Sequence, residues 1–255
     1  MNAKPLLFFV VIAALLWSWA VEAAPIRVRL MEGNFRGFVV LKSLDGAAIA
    51  YGEVCQKATG DLVECRTLLR FTDGSLYDES ATFSQQGVFR LEAYRLVQHG
   101  PSCPTLEVSF DRGSGQYKAL SQAEKDGKPE VASGTFEMPD DLYNGMALVL
   151  LKNLPGGAGA TVHMAVFMPE PRLIEMEWGW EGEDEVMLGG RPLKTMRSLV
   201  KLEIGGLTGV IASLLGKSPP DLRYWLVTGD VPAFVRFEGA MFLNGPVWRL
   251  ELTTV

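Results

Sequence analysis

Hydrophobic and polar residues alternate with a period of two through much of this chain. Near its end, VWRLELTTV sets Trp248, Leu250 and Leu252 on one face against Arg249, Glu251 and Thr253 on the other. KTMRSLVKLEI opposes Met196, Val200, Leu202 and Ile204 to Arg197, Lys201 and Glu203, and PRLIEMEWGW opposes Ile174, Met176, Trp178 and Trp180 to Glu175 and Glu177. A strand's side chains point alternately to its two faces, so such runs predict strands with one buried and one wet face. That is the habit of antiparallel sheet, since parallel sheet is buried on both faces. Turn signals punctuate the runs at Asp45-Gly46, Thr59-Gly60-Asp61, Asp73-Gly74, Arg112-Gly113, Asp126-Gly127 and Asn244-Gly245. The pattern predicts a mainly β protein made of hairpins.

Two segments leave the period of two. MPDDLYNGMALVLLKNLP, from Met138 to Pro155, carries Pro139 and two acids at its start, then Leu142, Met146, Val149 and Leu150 at helical spacing. GGLTGVIASLLGKSPP, from Gly205 to Pro220, is short, apolar and stopped by Gly216 and Pro219. Both are expected as short helices packed on the sheet. A membrane-touching role is the alternative for the second.

The first residues, MNAKPLLFFVVIAALLWSWAVEAAP, are set apart from the fold. Lys4 precedes an apolar run from Leu6 to Ala20, and Val21-Glu22-Ala23 offers a small-x-small cleavage site. Residues 1–23 are therefore expected to be a secretory signal peptide, with 24–255 forming a single β-rich domain and a periplasmic or secreted location. The run is at the short end for a bilayer span, and an uncleaved anchor is the alternative. Removing Met1–Ala23 takes away one base and one acid, which leaves the formal charge at −6. An acidic chain gives no electrostatic case for nucleic acid or anionic lipid surfaces.

The three cysteines, Cys55, Cys65 and Cys103, are too few for a disulfide-built scaffold, and no pair has metal-ligand spacing. Cys55 and Cys65 stand equidistant from Gly60. A three-residue turn at Thr59–Asp61 sets them opposite each other and allows a bond; a two-residue turn leaves them idle thiols.

The richest polar cluster lies between Arg70 and Gly100. If Phe89, Leu91, Ala93 and Val97 face the core, strand parity puts Arg95 on the same side, where it needs a carboxylate, Glu79 first and Glu92 second. Arg95 is then either a salt-bridged residue at the sheet rim or an anchor for a ligand. Asp73, Ser75 and His99 can be drawn as a hydrolytic triad, but a serine in Asp-Gly-Ser is ordinarily a turn residue. His99 and His163 without clustered carboxylates make a poor metal site. EWGWEGEDE, from Glu177 to Glu185, lacks the oxygen spacing of a calcium loop and is expected as an exposed hairpin tip. Gly156-Gly157-Ala158-Gly159 lacks the Lys-Ser/Thr of a phosphate loop. No cofactor or metal is expected.

FTDGSLYDESATFSQQGVFRLEAYRLVQHGPS, MPDDLYNGMALVLLKNLP and LTGVIASLLGKSPPDLRYWLVTGDVPAFVRFEGAMFLNGPVWRLEL together resemble a family of exported bacterial proteins with no assigned activity. The resemblance supplies no catalytic residues. In that family the position of Cys103 tends to be apolar, which implies no essential disulfide there. More remotely, the closing strand, Trp-Leu, loop, Pro, strand is similar to periplasmic domains with a rolled sheet, which are also used by carriers of lipidated cargo. That likeness implies a large curved antiparallel sheet, or a partly closed barrel or roll, with the two helices packed on it. Fold alone does not imply function.

The leading functional expectation is a non-enzymatic protein binding a lipid or other apolar or amphipathic molecule in the concave side of its sheet. Met164, Met168, Met176, Trp178 and Trp225 motivate it, with Arg95 and Glu79 as polar candidates. The plain alternative is that these residues fill the core. An envelope structural or protein-interaction module is a second class, its partner unnamed, and a weak hydrolase a third.

Overall fold

A computed structural model describes residues 23–122, 127–155, 158–168, 170–203 and 220–253. The alternating runs become fourteen strands. They are β1 (Phe35–Lys42), β2 (Ala48–Thr59), β3 (Leu62–Phe71), β4 (Leu76–Gln86), β5 (Val88–His99), β6 (Thr105–Asp111) and β7 (Gln116–Gln122). There follow β8 (Glu130–Thr135), β9 (Ala160–Phe167), β10 (Pro171–Leu188), β11 (Arg191–Glu203), β12 (Leu222–Val227), β13 (Ala233–Ala240) and β14 (Val247–Leu252). All belong to one antiparallel sheet, ordered β8-β7-β6-β5-β4-β3-β2-β1-β14-β13-β12-β11-β10-β9. Every ladder joins sequence neighbours except β1 with β14, where Val39 faces Leu252 and Lys42 faces Arg249.

The sheet is not closed by a ladder between its edges, β8 and β9, yet it is rolled. Phe110 on β6 and Phe167 on β9 belong near opposite ends of the strand order, and their ring centres lie 6.0 Å apart. One face has therefore curled onto itself. Its side chains merge into a single core that includes Leu41, Leu69, Phe83, Leu91, Leu226 and Leu250, each of which stabilises by roughly 1.5–3 kcal/mol when fully buried.

The predicted helix over Met138–Pro155 is realised only in its second half, as α1 (Ala147–Asn153), the one helix among the described residues. Upstream, the chain forms a strap along the β9 edge. Tyr143 N donates to His163 O at 2.9 Å and His163 N to Asp141 O at 3.0 Å. The Asn144 side chain bonds both backbone groups of Ala165, at 2.8 and 2.9 Å. Backbone groups that a helix would pair internally are thus committed to β9. On its other side the strap is tied to the front half of the sheet. The Tyr143 hydroxyl donates to Phe89 O at 2.8 Å and accepts from Ile26 N at 3.0 Å. The strap thus joins the β9 edge to β5 and to the segment before β1. The second predicted helix lies outside the described residues except Pro220, and the leader does so except Ala23.

A β-bulge decides the parity of β5. Thr82 faces Ala93 and Phe83 faces Leu91, so Glu92 is an extra residue with no partner of its own. Phe89 and Leu91 point inward before the bulge; Tyr94, Leu96 and Gln98 do so after it. Arg112 takes up the carbonyls at the irregularity, its backbone N donating to Glu92 O at 2.8 Å and its Nε to Leu91 O at 2.6 Å. The guanidinium also donates to Met138 O at 2.8 Å and Pro139 O at 2.9 Å, which fastens the start of the strap.

Candidate functional site

The rolled face and the segment that follows the expected leader enclose a cavity of about 590 Å³. Leu96, Met164, Met176, Phe234, Phe237 and Leu250 are among its apolar walls. The chain before β1 forms part of the rim and is held by buried side chains. Asn153 at the end of α1 accepts from Arg29 N and Leu30 N at 2.8 and 2.7 Å. Gln85 makes two bonds to the Glu32 backbone, at 2.7 and 3.1 Å. Met31 and Val231 belong to the lining and are each 69% exposed, so the cavity opens to the surface through apolar residues.

The polar part of the wall is carried by β4 and β5. In their ladder Tyr77 faces Gln98, Glu79 faces Leu96 and Ala81 faces Tyr94. Tyr94 donates its hydroxyl to Glu79 Oε1 at 2.9 Å, and the Tyr77 hydroxyl lies beside the same carboxyl. Burial pushes the Glu79 carboxyl above its ordinary value, against the two hydroxyls, which favour the charged form. Burial and then the Glu79 charge raise the Tyr77, Tyr94 and Tyr224 hydroxyls, the last from β12. The Cys65 thiol is pushed up to about 12, by burial first and Glu79 next. Of the charged residues in the lining, Glu32 is paired with Lys152 at 2.5 Å and Arg66 with Asp78 at 2.7 Å. Among the described residues, no cation is paired with Glu79.

Two buried polar atoms in the lining have no partner among the described residues. Gln98 is fully buried; its Nε2 donates to Pro104 O at 3.1 Å, which orients the amide, and its Oε1 is left unbonded. Trp178, 4% exposed, has an unbonded indole N–H. A buried unpaired group costs on the order of 1–3 kcal/mol, so these two atoms are strained features of an otherwise apolar wall.

The structure brings Glu79, Met164, Met176 and Trp178 together in this lining, with Met168. It removes Arg95 and Trp225. Arg95 points outward because the Glu92 bulge reverses the strand's parity. Its side chain is 57% exposed and lies 3.7 Å from Asp78, so neither Glu79 nor Glu92 is its partner. Trp225 is buried on the outer face against Val186 and Val235, its Nε1 donating to Asp184 at 2.9 Å. β12 alternates regularly here, with Leu222, Tyr224 and Leu226 inward and Trp225 outward, and the extra residue of the neighbouring irregularity is Val235 on β13.

The paired thiols are also corrected. The turn is the two-residue Gly60-Asp61, with Gly60 at φ +61°, so Cys55 faces Arg66 while Cys65 faces Gln56. One register step puts the two sulfurs on opposite faces, and both cysteines are free. EWGWEGEDE runs along β10 and is not a hairpin tip. Glu181 binds Arg197 and Arg223, and the missed turn is Gly189-Gly190 beyond it. Ser75 is a turn residue: its hydroxyl accepts from Ser102 N at 2.8 Å, while Asp73 accepts from Ser75 N and the Ser102 hydroxyl. Among the described residues, no hydrogen bond joins His99 to either. His163 pairs with Asp141 at 2.8 Å beneath the strap. Among the described residues no group of three His, Cys, Asp or Glu is placed to hold a metal, and no helix is long and apolar enough to cross a membrane.

Sequence reading missed Tyr77, Tyr94 and Gln98. The signal lay in FRLEAYRLVQ, where the apolar phase moves from odd positions, Phe89 and Leu91, to even ones, Tyr94 and Leu96.

No protein-family model matches the sequence, and comparison with curated proteins finds no match. Among solved structures the chain is similar to the β-barrel-like protein of a domain of unknown function, DUF1849, from Brucella abortus. The identity is 10% and the TM-score 0.43, over 89% of this chain and 100% of that one.

Proposed function

We propose that this protein is a carrier or sensor of an amphipathic small molecule, held in the cavity inside the rolled sheet. The observation that carries the reading is the lining itself: about 590 Å³ with mainly apolar walls and a few buried polar groups lacking partners. Ligand sites ordinarily have this composition, in volumes of roughly 300–1,000 Å³. Methionines Met164, Met168 and Met176 suit an alkyl chain, because an unbranched thioether adapts to irregular apolar shapes. The leader-like Met1–Ala23 supports a site of action outside the cytoplasm, where the molecule carried is an envelope lipid or its breakdown product.

Native mass spectrometry of protein purified from its own envelope, without detergent, tests the reading. An apolar molecule should co-purify at one per chain, and Met176→Lys, which puts a charge in the wall, should abolish it. Binding that persists in Met176→Lys would place the ligand elsewhere. Protein that arrives empty and binds no alkyl probe would end the proposal. Recovery of chains that still begin at Met1 would replace export by anchoring.

A further inference from the structure

The cavity has an electronegative pole with no cation among the described residues to balance it. Glu79 is half-buried in the cavity wall and accepts a hydrogen bond from the Tyr94 hydroxyl, but has no cation partner among the described residues. Every other acid in the lining is paired: Glu32 holds Lys152. Gln98 adds a second acceptor. Its Nε2 is committed to Pro104 O, so the free Oε1 cannot be exchanged for a donor by flipping the amide. Both residues project from the same face of the β4–β5 ladder. Glu79 is opposite Leu96, and Gln98 is two positions further along β5, which makes them diagonal neighbours. Such positions lie roughly 7–8 Å apart at the backbone, within mutual reach of long side chains.

We infer that this pole binds a primary ammonium group, so that the ligand is a long-chain amine or an amino-headed lipid carrying no compensating acid. This rests on the cavity reading above. The group required must donate at least two hydrogen bonds, to Glu79 and to Gln98 Oε1, and must carry positive charge, because a carboxyl that burial keeps protonated beyond its ordinary range gives up its proton in an apolar wall only against a counter-charge. A hydroxyl head offers one proton and no charge. A carboxylate head offers no donor and repels Glu79. An ammonium supplies three N–H donors on one compact cation. The pole lies beneath Gly145, whose absent Cβ would sit 3.5 Å from the Glu79 carboxyl carbon and 3.3 Å from the Tyr94 ring, so the strap closes over the carboxyl on the protein side and leaves the cavity side for a ligand.

The probes are decylammonium, decanol and decanoate, each titrated into the full chain by calorimetry at neutral pH and physiological salt. Decylammonium should bind about ten-fold or more tighter than decanol, and decanoate weakest. Glu79→Gln and Gln98→Leu should each erase the preference for the amine while leaving decanol within about two-fold, a change of about 0.4 kcal/mol and under half of a typical hydrogen bond. Decanol binding unchanged in both variants also shows that they are folded. Equal affinity for amine and alcohol, or a preference that survives Glu79→Gln, overturns the inference and leaves the cavity reading standing. Failure of all three probes to bind the unaltered protein refutes both.

Discussion

Replacing Arg112 by methionine keeps an unbranched apolar stem and deletes the guanidinium with its three hydrogen bonds, at the point where the bulge and the strap meet. The guanidinium is 8% exposed and donates to Leu91, Met138 and Pro139 at 2.6–2.9 Å. Hydrogen bonds to a charged group contribute about 1.5–3 kcal/mol each, so three amount to roughly 4–9 kcal/mol gross. Two effects reduce this. Burying the guanidinium itself costs several kcal/mol, which the methionine does not incur, and the strap's carbonyls can turn to water. A net loss of about 2–4 kcal/mol is expected, a large share of a typical domain stability of roughly 5–15 kcal/mol. Arg90→Ala is the matched control. Arg90 reaches Asp140, as Arg112 does, at 3.4 Å, but with side chains 49% and 70% exposed, so it should cost under about 1 kcal/mol. Urea unfolding measures both, read from midpoints at equal slope. If Arg112→Met costs no more than Arg90→Ala, the bulge and strap do not depend on this side chain and the account of them is wrong.

Other outcomes follow from single contacts. Arg95→Ala should cost under about 1 kcal/mol in the same assay, since its ion pair is long and exposed; a loss of several kcal/mol would mean the arginine is buried after all. Gly145→Ala should cost about 2–3 kcal/mol, from φ +70° and a new methyl 3.2 Å from the Ala81 methyl; a neutral result in thermal melts would show that the strap is loosely seated. The raised Glu79 carboxyl makes the folded protein hold a proton that the unfolded chain has released, so its contribution is full below the unfolded value and fades as pH climbs through the folded one. Glu79→Gln should therefore gain stability relative to the parent as pH rises above the ordinary glutamate value of about 4.3, and a parallel pair of stability curves would contradict this. In native protein a thiol reagent should modify Cys55 first, ahead of Cys65, whose thiol is pushed up to about 12, with buried Cys103 reacting only on unfolding.

The strands were legible because burial on one face writes a period of two into the sequence. Met176 and Trp178 against Glu175 and Glu177 are read correctly from alternation alone, and both reach the cavity. What alternation cannot mark is an inserted residue. Glu92 reverses a face of β5 and so moved Arg95 from the inside to the outside, whereas Trp225 faces out by plain alternation with the inward Tyr224 and Leu226. The turn at Gly60 failed by the same arithmetic, since one residue more or less separates a bridged pair of thiols from two facing opposite ways. The strap was mistaken for helix because Leu142 and Met146 do have helical spacing. Their burial comes from β9 on one side and the core on the other, a circumstance that depends on residues far along the chain.

The single long-range ladder sets an order of assembly. Pairing Val39 with Leu252 joins residues 213 positions apart, whereas every other ladder is a hairpin between neighbours. Closing so long a loop in an unstructured chain costs on the order of 3 kcal/mol more than closing a hairpin of about ten residues, since the penalty grows as the logarithm of length. The cost shrinks once β1–β8 and β9–β14 have each zipped as separate meanders, because the ends are then carried on two compact bodies. Folding should therefore proceed as two independent winding events followed by one docking step, and only that last step creates the cavity. A chain arrested before it would present both half-linings to the surroundings at once, which makes the β1–β14 seam the point where this protein is most exposed to aggregation and where an early-arriving ligand would act as a template.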